Sequence, residues 1–350
     1  MLGKEKISFS AFFEEKAIVQ EHPSRRICEA AATGNIGTLT WLVLEHPDLI
    51  NESSMFDGIY MKPIEHAVRF GQDETIRFFA RYGIDVDARH FIHTLFHIAA
   101  ERGHASTIET LFQLGSSVMD VRDVVGSTSM NIAARFNHVS VIEKLATLGS
   151  RSIDIPDNSG WTPLHNAVFN QNCGMVATLL RLGSDALDFP DKEGKTPIYV
   201  AALCGREYIA TMLFAAGSQT IDVQNNQGCT PLFAAITHRH TSMVELLFQL
   251  GSQSLEVPTN SGITPMHQAV RSNQISCMKV LMALGASYQH LWDFAEEDSA
   301  RLLLDTGIDE SEIAEIRYRV YFERSLVGRL LLDLERQENL RATRTTKLNA

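Results

Sequence analysis

Glycine recurs in this chain with a step of 34 residues. Gly126, Gly160, Gly194, Gly228 and Gly262 form one series, and Gly115, Gly149, Gly183, Gly217, Gly251 and Gly285 form a second in the same step. The first series opens a repeated phrase. Gly160-Trp161-Thr162-Pro163-Leu164-His165-Asn166-Ala167 returns as Gly194-Lys195-Thr196-Pro197-Ile198-Tyr199-Val200-Ala201, then from Gly228 and from Gly262, with a weaker copy at Gly126. A period of this size excludes a single folded core with non-local pairing and requires a stack of small units, each contacting its neighbours. Such stacks present long surfaces, so the functional question becomes which partner rather than which reaction.

The stretch from Thr162 to Gly194 predicts one unit. Thr162 is a good N-cap and Pro163 suits the first helical position, where its missing N–H costs nothing. Leu164, Ala167 and Val168 make an apolar helical stripe, and the small alanine lets a neighbouring helix approach. A polar break, Asn170 to Gly174, precedes a second helix marked by Met175, Val176, Leu179, Leu180 and Leu182. Gly183 is expected in the left-handed conformation that ends it. Leu187, Phe189 and Pro190 alternate with Asp188 and Asp191, predicting an extended stretch that closes in a turn at Asp191–Gly194. One such pair cannot bury its apolar face alone; stacking does so.

These residues strongly resemble the ankyrin repeat, whose Thr-Pro-Leu-His-x-Ala phrase stands in full at Thr162 to Ala167. The resemblance covers roughly residues 25 to 287 and implies an all-α ankyrin-repeat solenoid of helix-turn-helix units with projecting β-hairpin-like loops. Eight first helices are expected near Arg25, Pro63, Thr94, Thr128, Thr162, Thr196, Thr230 and Thr264. There are departures: the family period is about 33, the units at Thr94 and Thr128 have Leu95 and Ser129 in place of proline, and the loop from Gly83 to His93 is shorter than its siblings. We therefore expect residues 1–24 to hold an N-terminal capping helix over Ser8 to Gln20, and 25–287 to form the array. Residues 288–341 read as a degenerate repeat and a C-terminal helical cap, and 342–350 as a disordered tail.

Composition narrows the function. The net charge of -11 argues against nucleic acid as the main ligand. No apolar stretch approaches a membrane span, and no signal peptide opens the chain. The five cysteines show neither a Cys-x-x-Cys pair nor a secreted framework. These features predict a soluble cytoplasmic protein. The alternative setting is a bacterial effector secreted into a host cell's cytoplasm, since the wording of the loops resembles arrays common in intracellular bacteria.

The chemistry-bearing residues follow the repeat. His97, His165 and His267 share one slot, where hydrogen bonding to the neighbouring Thr is expected. His104, His138 and His240 share another at the turn between helices. His90, His93 and His97 lack the acidic or Cys ligand that would complete a zinc site. Cys204 and Cys277 show no triad order. Asp154, Asp157, Asp188, Asp191 and Asp222 lack calcium-loop spacing and read as a solvated acidic row at the loop tips. The glycines form no phosphate loop. No catalytic, metal or cofactor site is expected, and a small C-terminal enzymatic module is the remotest alternative.

The resemblance implies that a partner protein meets the loop tips and the exposed side of the first helices. At the ends of those helices the N-terminal half is rich in Arg and aromatic residues, the types that dominate binding energy. We expect Arg69, Phe70, Arg102, Arg135, Phe136, Trp161 and Phe169 to line a concave groove that binds an extended or helical segment of a partner protein. Trp161 stands at a position with little core to fill.

Overall fold

The protein is described by a computed structural model over residues 22–87 and 93–287. The N-terminal and C-terminal helices expected from the sequence lie outside these residues. The chain divides into two compact units, Met1–Asp123 and Val124–Ala350, so the division falls after the third helix pair.

In the first unit the described helices are α1 (Pro23–Thr33), α2 (Ile36–Glu45), α3 (Pro63–Arg69), α4 (Asp73–Arg81), α5 (Leu95–Arg102) and α6 (Ala105–Gln113). A hairpin of β1 (Ser54–Phe56) and β2 (Ile59–Met61) joins the first two pairs, with Met55 opposite Tyr60. Helix α3 packs between α1 and α5, while α4 packs between α2 and α6. Ile27, Leu39, Ile76, Phe79, Phe96 and Leu111 fill the core.

The second unit continues with α7 (Ser129–Arg135), α8 (Val139–Thr147), α9 (Pro163–Phe169), α10 (Cys173–Arg181), α11 (Pro197–Leu203) and α12 (Glu207–Ala215). It ends, among the described residues, with α13 (Pro231–Thr237), α14 (Thr241–Gln249), α15 (Pro265–Arg271) and α16 (Ile275–Ala283). Within this unit the odd-numbered helices stack in one row and the even-numbered in another. Ala133, Ala167, Ala201, Ala235 and Ala269 are fully buried along the first row, where a larger side chain would hold the helices apart. Each first helix opens as its sequence dictates. Thr162 Oγ1 accepts from the His165 N–H at 3.4 Å, and Thr230 Oγ1 from the Phe233 N–H at 3.2 Å. Thr128 caps α7 in the same way without the proline.

The projecting loops of the second unit are turns rather than strand pairs among the described residues. Leu187, expected to be extended, sits in a 3-10 turn, Ala186–Asp188; extended backbone begins at Phe189. Each loop tip is closed by its own side chain. Asp191 Oδ1 accepts from the N–H groups of Glu193 and Lys195, both at 2.8 Å. Consecutive tips are joined by one main-chain bond per step: the N–H groups of Asn158, Lys192, Asn226 and Asn260 donate to the carbonyls of Val125, Ser159, Glu193 and Gln227.

The acidic side chains are not the solvated row expected from the sequence. Asp154, Asp188 and Asp222 each accept from the serine of the next repeat's Leu-Gly-Ser turn or its equivalent: Ser184 at 2.6 Å, Ser218 at 2.7 Å and Ser252 at 2.5 Å. Each also accepts from the following N–H, at Asp185, Gln219 or Gln253. Asp87 plays this part in the first unit, bonding Ser116 and Ser117. Burial raises its pKa, but these hydrogen bonds outweigh burial and hold its carboxyl below the usual range.

Gly160 and Gly183 both have left-handed backbone, at φ +87 and +86, yet their surroundings differ. A Cβ on Gly183 meets open space, whereas one on Gly160 falls 2.7 Å from the Lys192 nitrogen in the next loop. Gly183→Ala should therefore cost about 1–2 kcal/mol, from backbone strain alone. Gly160→Ala should cost about 1–3 kcal/mol more, through overpacking against the neighbour. Urea unfolding of the two variants checks this; equal midpoints would refute the close approach at Gly160.

Candidate functional site

Each expected binding residue is placed by the last turn of a first helix or by the loop tip before it, and the two units contribute separate groups. In the first unit Arg69 ends α3 and Phe70 caps it. The Phe70 ring lies 6.2 Å from that of Phe56 on the hairpin, with the Arg69 guanidinium 5.9 Å over its centroid. The Arg69 side chain is only 13% exposed and faces Asp57 at 3.8 Å, so it supports the hairpin more than it offers a free cation. Arg102, at the end of α5, is exposed beside Glu101 at 3.4 Å.

In the second unit Arg135 ends α7, 3.6 Å from Asp157, and Phe136 caps the helix with its ring 50% exposed. Phe169 ends α9 and is 45% exposed. Trp161 is not the free side chain its position suggested. Its ring packs edge-on against Phe169 at 5.3 Å and stacks along His165 at 6.1 Å, and its Nε1–H donates to Asp191 at 3.1 Å. Phe136 and Phe169 are the exposed aromatic surface of this group, while Trp161 secures one loop tip to the next.

The histidine slots are structural. His97, His165 and His267 hold their helix-capping threonines at 2.8, 2.9 and 2.6 Å. In His165 the Nδ1 faces the Thr162 N–H, so Nε2 carries the proton and donates to the Lys195 carbonyl at 3.1 Å. Burial lowers its pKa and keeps the ring neutral. His104, His138 and His240 begin second helices as N-caps. His93 lies 3.7 Å from Asp123, and His90 lies outside the described residues. Among the described residues no group of three or more His, Cys, Asp and Glu could hold a metal ion. Cys204 caps the end of α11. Burial pushes the thiols of Cys204 and Cys229 up, and that of Cys277 up to about 11. None of these three is poised as a thiolate nucleophile. No described helix is long and apolar enough to cross a membrane.

A cavity of about 580 Å³ opens in the second unit between α11, α13 and α15, lined among others by Tyr199, Leu203, Phe233, Thr237, Ile263 and Gln268. Sequence reading passed over it. Its trace in the sequence is the aromatic pair Tyr199 and Phe233, in the slot where the siblings have Asn131, His165 and His267.

The model for ankyrin repeats in three copies matches residues 64–156, 96–188, 130–222 and 218–290. The chain belongs to the ankyrin-repeat family. Ankyrin repeats are generally protein–protein interaction modules and typically non-enzymatic. A search of the curated proteins finds no match.

Beside Arg69 on α3, Glu65 is 2% exposed and accepts from the Lys62 N–H at 2.8 Å. Burial pushes its carboxyl up to about 7, against the smaller opposite pull of that bond and of the Lys62 charge. A raised carboxyl pKa favours folding below the unfolded value, about 4.5, and that contribution is lost as pH rises through 7. Glu65→Gln keeps the accepting oxygen and removes the charge. It should match the parent near pH 4 and gain on the order of 1–3 kcal/mol at pH 8. Urea midpoints of parent and variant at the two pH values check this; a constant difference would exclude the linkage.

Proposed function

We propose that this ankyrin-repeat chain is a non-enzymatic interaction module that binds a partner protein through the first-helix face and loop tips of its second unit. The observation that carries this reading is the pair Phe136 and Phe169, large rings left half-exposed on successive helix ends of a well-packed scaffold. Aromatic residues held in this way lose little entropy on binding and dominate interface energies. Arg135 stands beside them, with its charge shared with Asp157. Arg69, Phe70 and Arg102 of the first unit form a second candidate patch, more restrained by hairpin and ion-pair contacts.

The adaptor or scaffold role and the secreted-effector role are settings for the same binding act. A translocation reporter fused to residues 309–350 separates them: transfer into host cells favours the effector, and no transfer counts against it.

Phe136→Ala with Phe169→Ala tests the surface while leaving Trp161 and its bond to Asp191 in place. Phe136→Ala should change stability by no more than about 0.5 kcal/mol, and Phe169→Ala by about 1–2 kcal/mol because it also removes the ring packed against Trp161. Recovery of the partner protein from a cell lysate, read by mass spectrometry against the parent, should fall about tenfold or more. Undiminished capture by the folded double variant would move binding off this face.

A further inference from the structure

The cavity between α11, α13 and α15 lies where a repeated tie changes partner, at Tyr199, and is then lost, at Phe233. Asn131 Nδ2 donates forward to the Trp161 carbonyl at 3.0 Å, and His165 Nε2 does the same to Lys195 at 3.1 Å. Each tie draws a first helix against the following loop tip. In the next two units the slot holds Tyr199 and Phe233. The Tyr199 hydroxyl instead accepts from Asn225 at 3.1 Å, and the Phe233 ring has nothing to donate. Among the described residues no side chain bonds the carbonyls of Cys229 or Ile263, the positions that match Trp161 and Lys195.

The walls define the occupant. Tyr199 and Phe233 form a buried aromatic floor, with Leu203 and Ile263 half-buried at its sides. The charged groups lining it, Glu193 and Lys195, pair with each other at 2.6 Å. His238, an exposed residue of the lining, has its pKa lowered, first by partial desolvation and then by the neighbouring His240 and Lys195. The rim is open, with the Glu193 side chain 65% exposed, but a charge seated on the buried aromatic floor would lose hydration without gaining a free counter-ion. Gln227 and Gln268 add neutral amide groups to the lining, the Gln268 Nε2 already donating to Ser272 at 3.2 Å and its oxygen left to accept from a peptide N–H. A volume of about 580 Å³ exceeds the need of one side chain and falls within the usual range for ligand pockets, about 300–1,000 Å³.

We propose that this cavity takes an uncharged segment of a partner protein, anchored by one large apolar side chain against Tyr199 and Phe233, with flanking main-chain amides paired to Gln227 and Gln268. The inference rests on the interaction-module reading and names the chemistry that the module selects.

The test selects a phage-displayed random dodecapeptide library on the full-length protein and measures the winning peptides by fluorescence polarisation. Two variants fill the cavity. Thr237→Trp acts from an exposed helix end, and Ile263→Trp places tryptophan in the register position where Trp161 already stands in the array. Circular dichroism and urea midpoints confirm that both are folded. The expected winners share a large apolar residue with no charged neighbour and lose affinity about tenfold or more in either filled variant. Winners that bind both variants like the parent, an obligatory charge at the anchor, or no enrichment at all would overturn the proposal. Peptides indifferent to the filled variants but lost on Phe136→Ala with Phe169→Ala would overturn this inference while leaving the interaction-module reading standing.

Discussion

The junction between one loop and the next carries the array. At three successive steps in the second unit an aspartate accepts a serine hydroxyl and the following main-chain N–H of its neighbour, while one main-chain bond joins the loop tips. Each carboxylate contact is charge-assisted and partly shielded from water, worth on the order of 1–2 kcal/mol after allowing for exposure. The figure is modest, but the arrangement repeats, and a stack of this kind gains cooperativity only from its interfaces. The apolar contacts between helix rows supply most of the burial. The polar junctions fix the register at which that burial occurs, because a one-residue slip would leave both the carboxylate and the serine without partners.

This dependence explains the two glycine series differently. The Leu-Gly-Ser glycines serve their own repeat by turning the chain at the end of the second helix, in open space. The loop-tip glycines serve the neighbour. Backbone from the next loop occupies the volume a side chain would take at Gly160, Gly194 and Gly228. One series is a local conformational requirement and the other a packing requirement, although both appear in the sequence as the same residue at the same step.

Local features were legible in the sequence because their causes lie within a few residues. Thr162 with Pro163 announces a helix start, Gly183 announces its end, and the shared slots of His97, His165 and His267 announce a structural role. Features whose cause lies about 30 residues away were not. Asp154 reads as a solvated tip until Ser184 is seen to meet it, and Trp161 reads as a free aromatic until Asp191 takes its N–H. Both partners were present at constant offsets: Asp154, Asp188 and Asp222 stand 30 residues before Ser184, Ser218 and Ser252. A search for co-periodic donor and acceptor pairs would have found them. The cavity was harder still, because it lies where Tyr199 reaches the next loop through the Asn225 side chain and Phe233 does not reach it at all, and such a change has meaning only once the tie elsewhere is known.

A division of labour follows between residues that hold the array and residues free to change. The aspartates, serines and loop-tip glycines are committed to a neighbouring repeat, and the capping threonines to their own helix. The last position of each first helix takes no part in these junctions, and it varies from Phe169 to Leu203, Thr237 and Arg271 along the second unit. The slot at His165, Tyr199 and Phe233 is intermediate, since its side chain either ties the next loop or opens a space beside it. The residues proposed for partner binding therefore stand where stability depends on them least, at helix ends and at relaxed junctions.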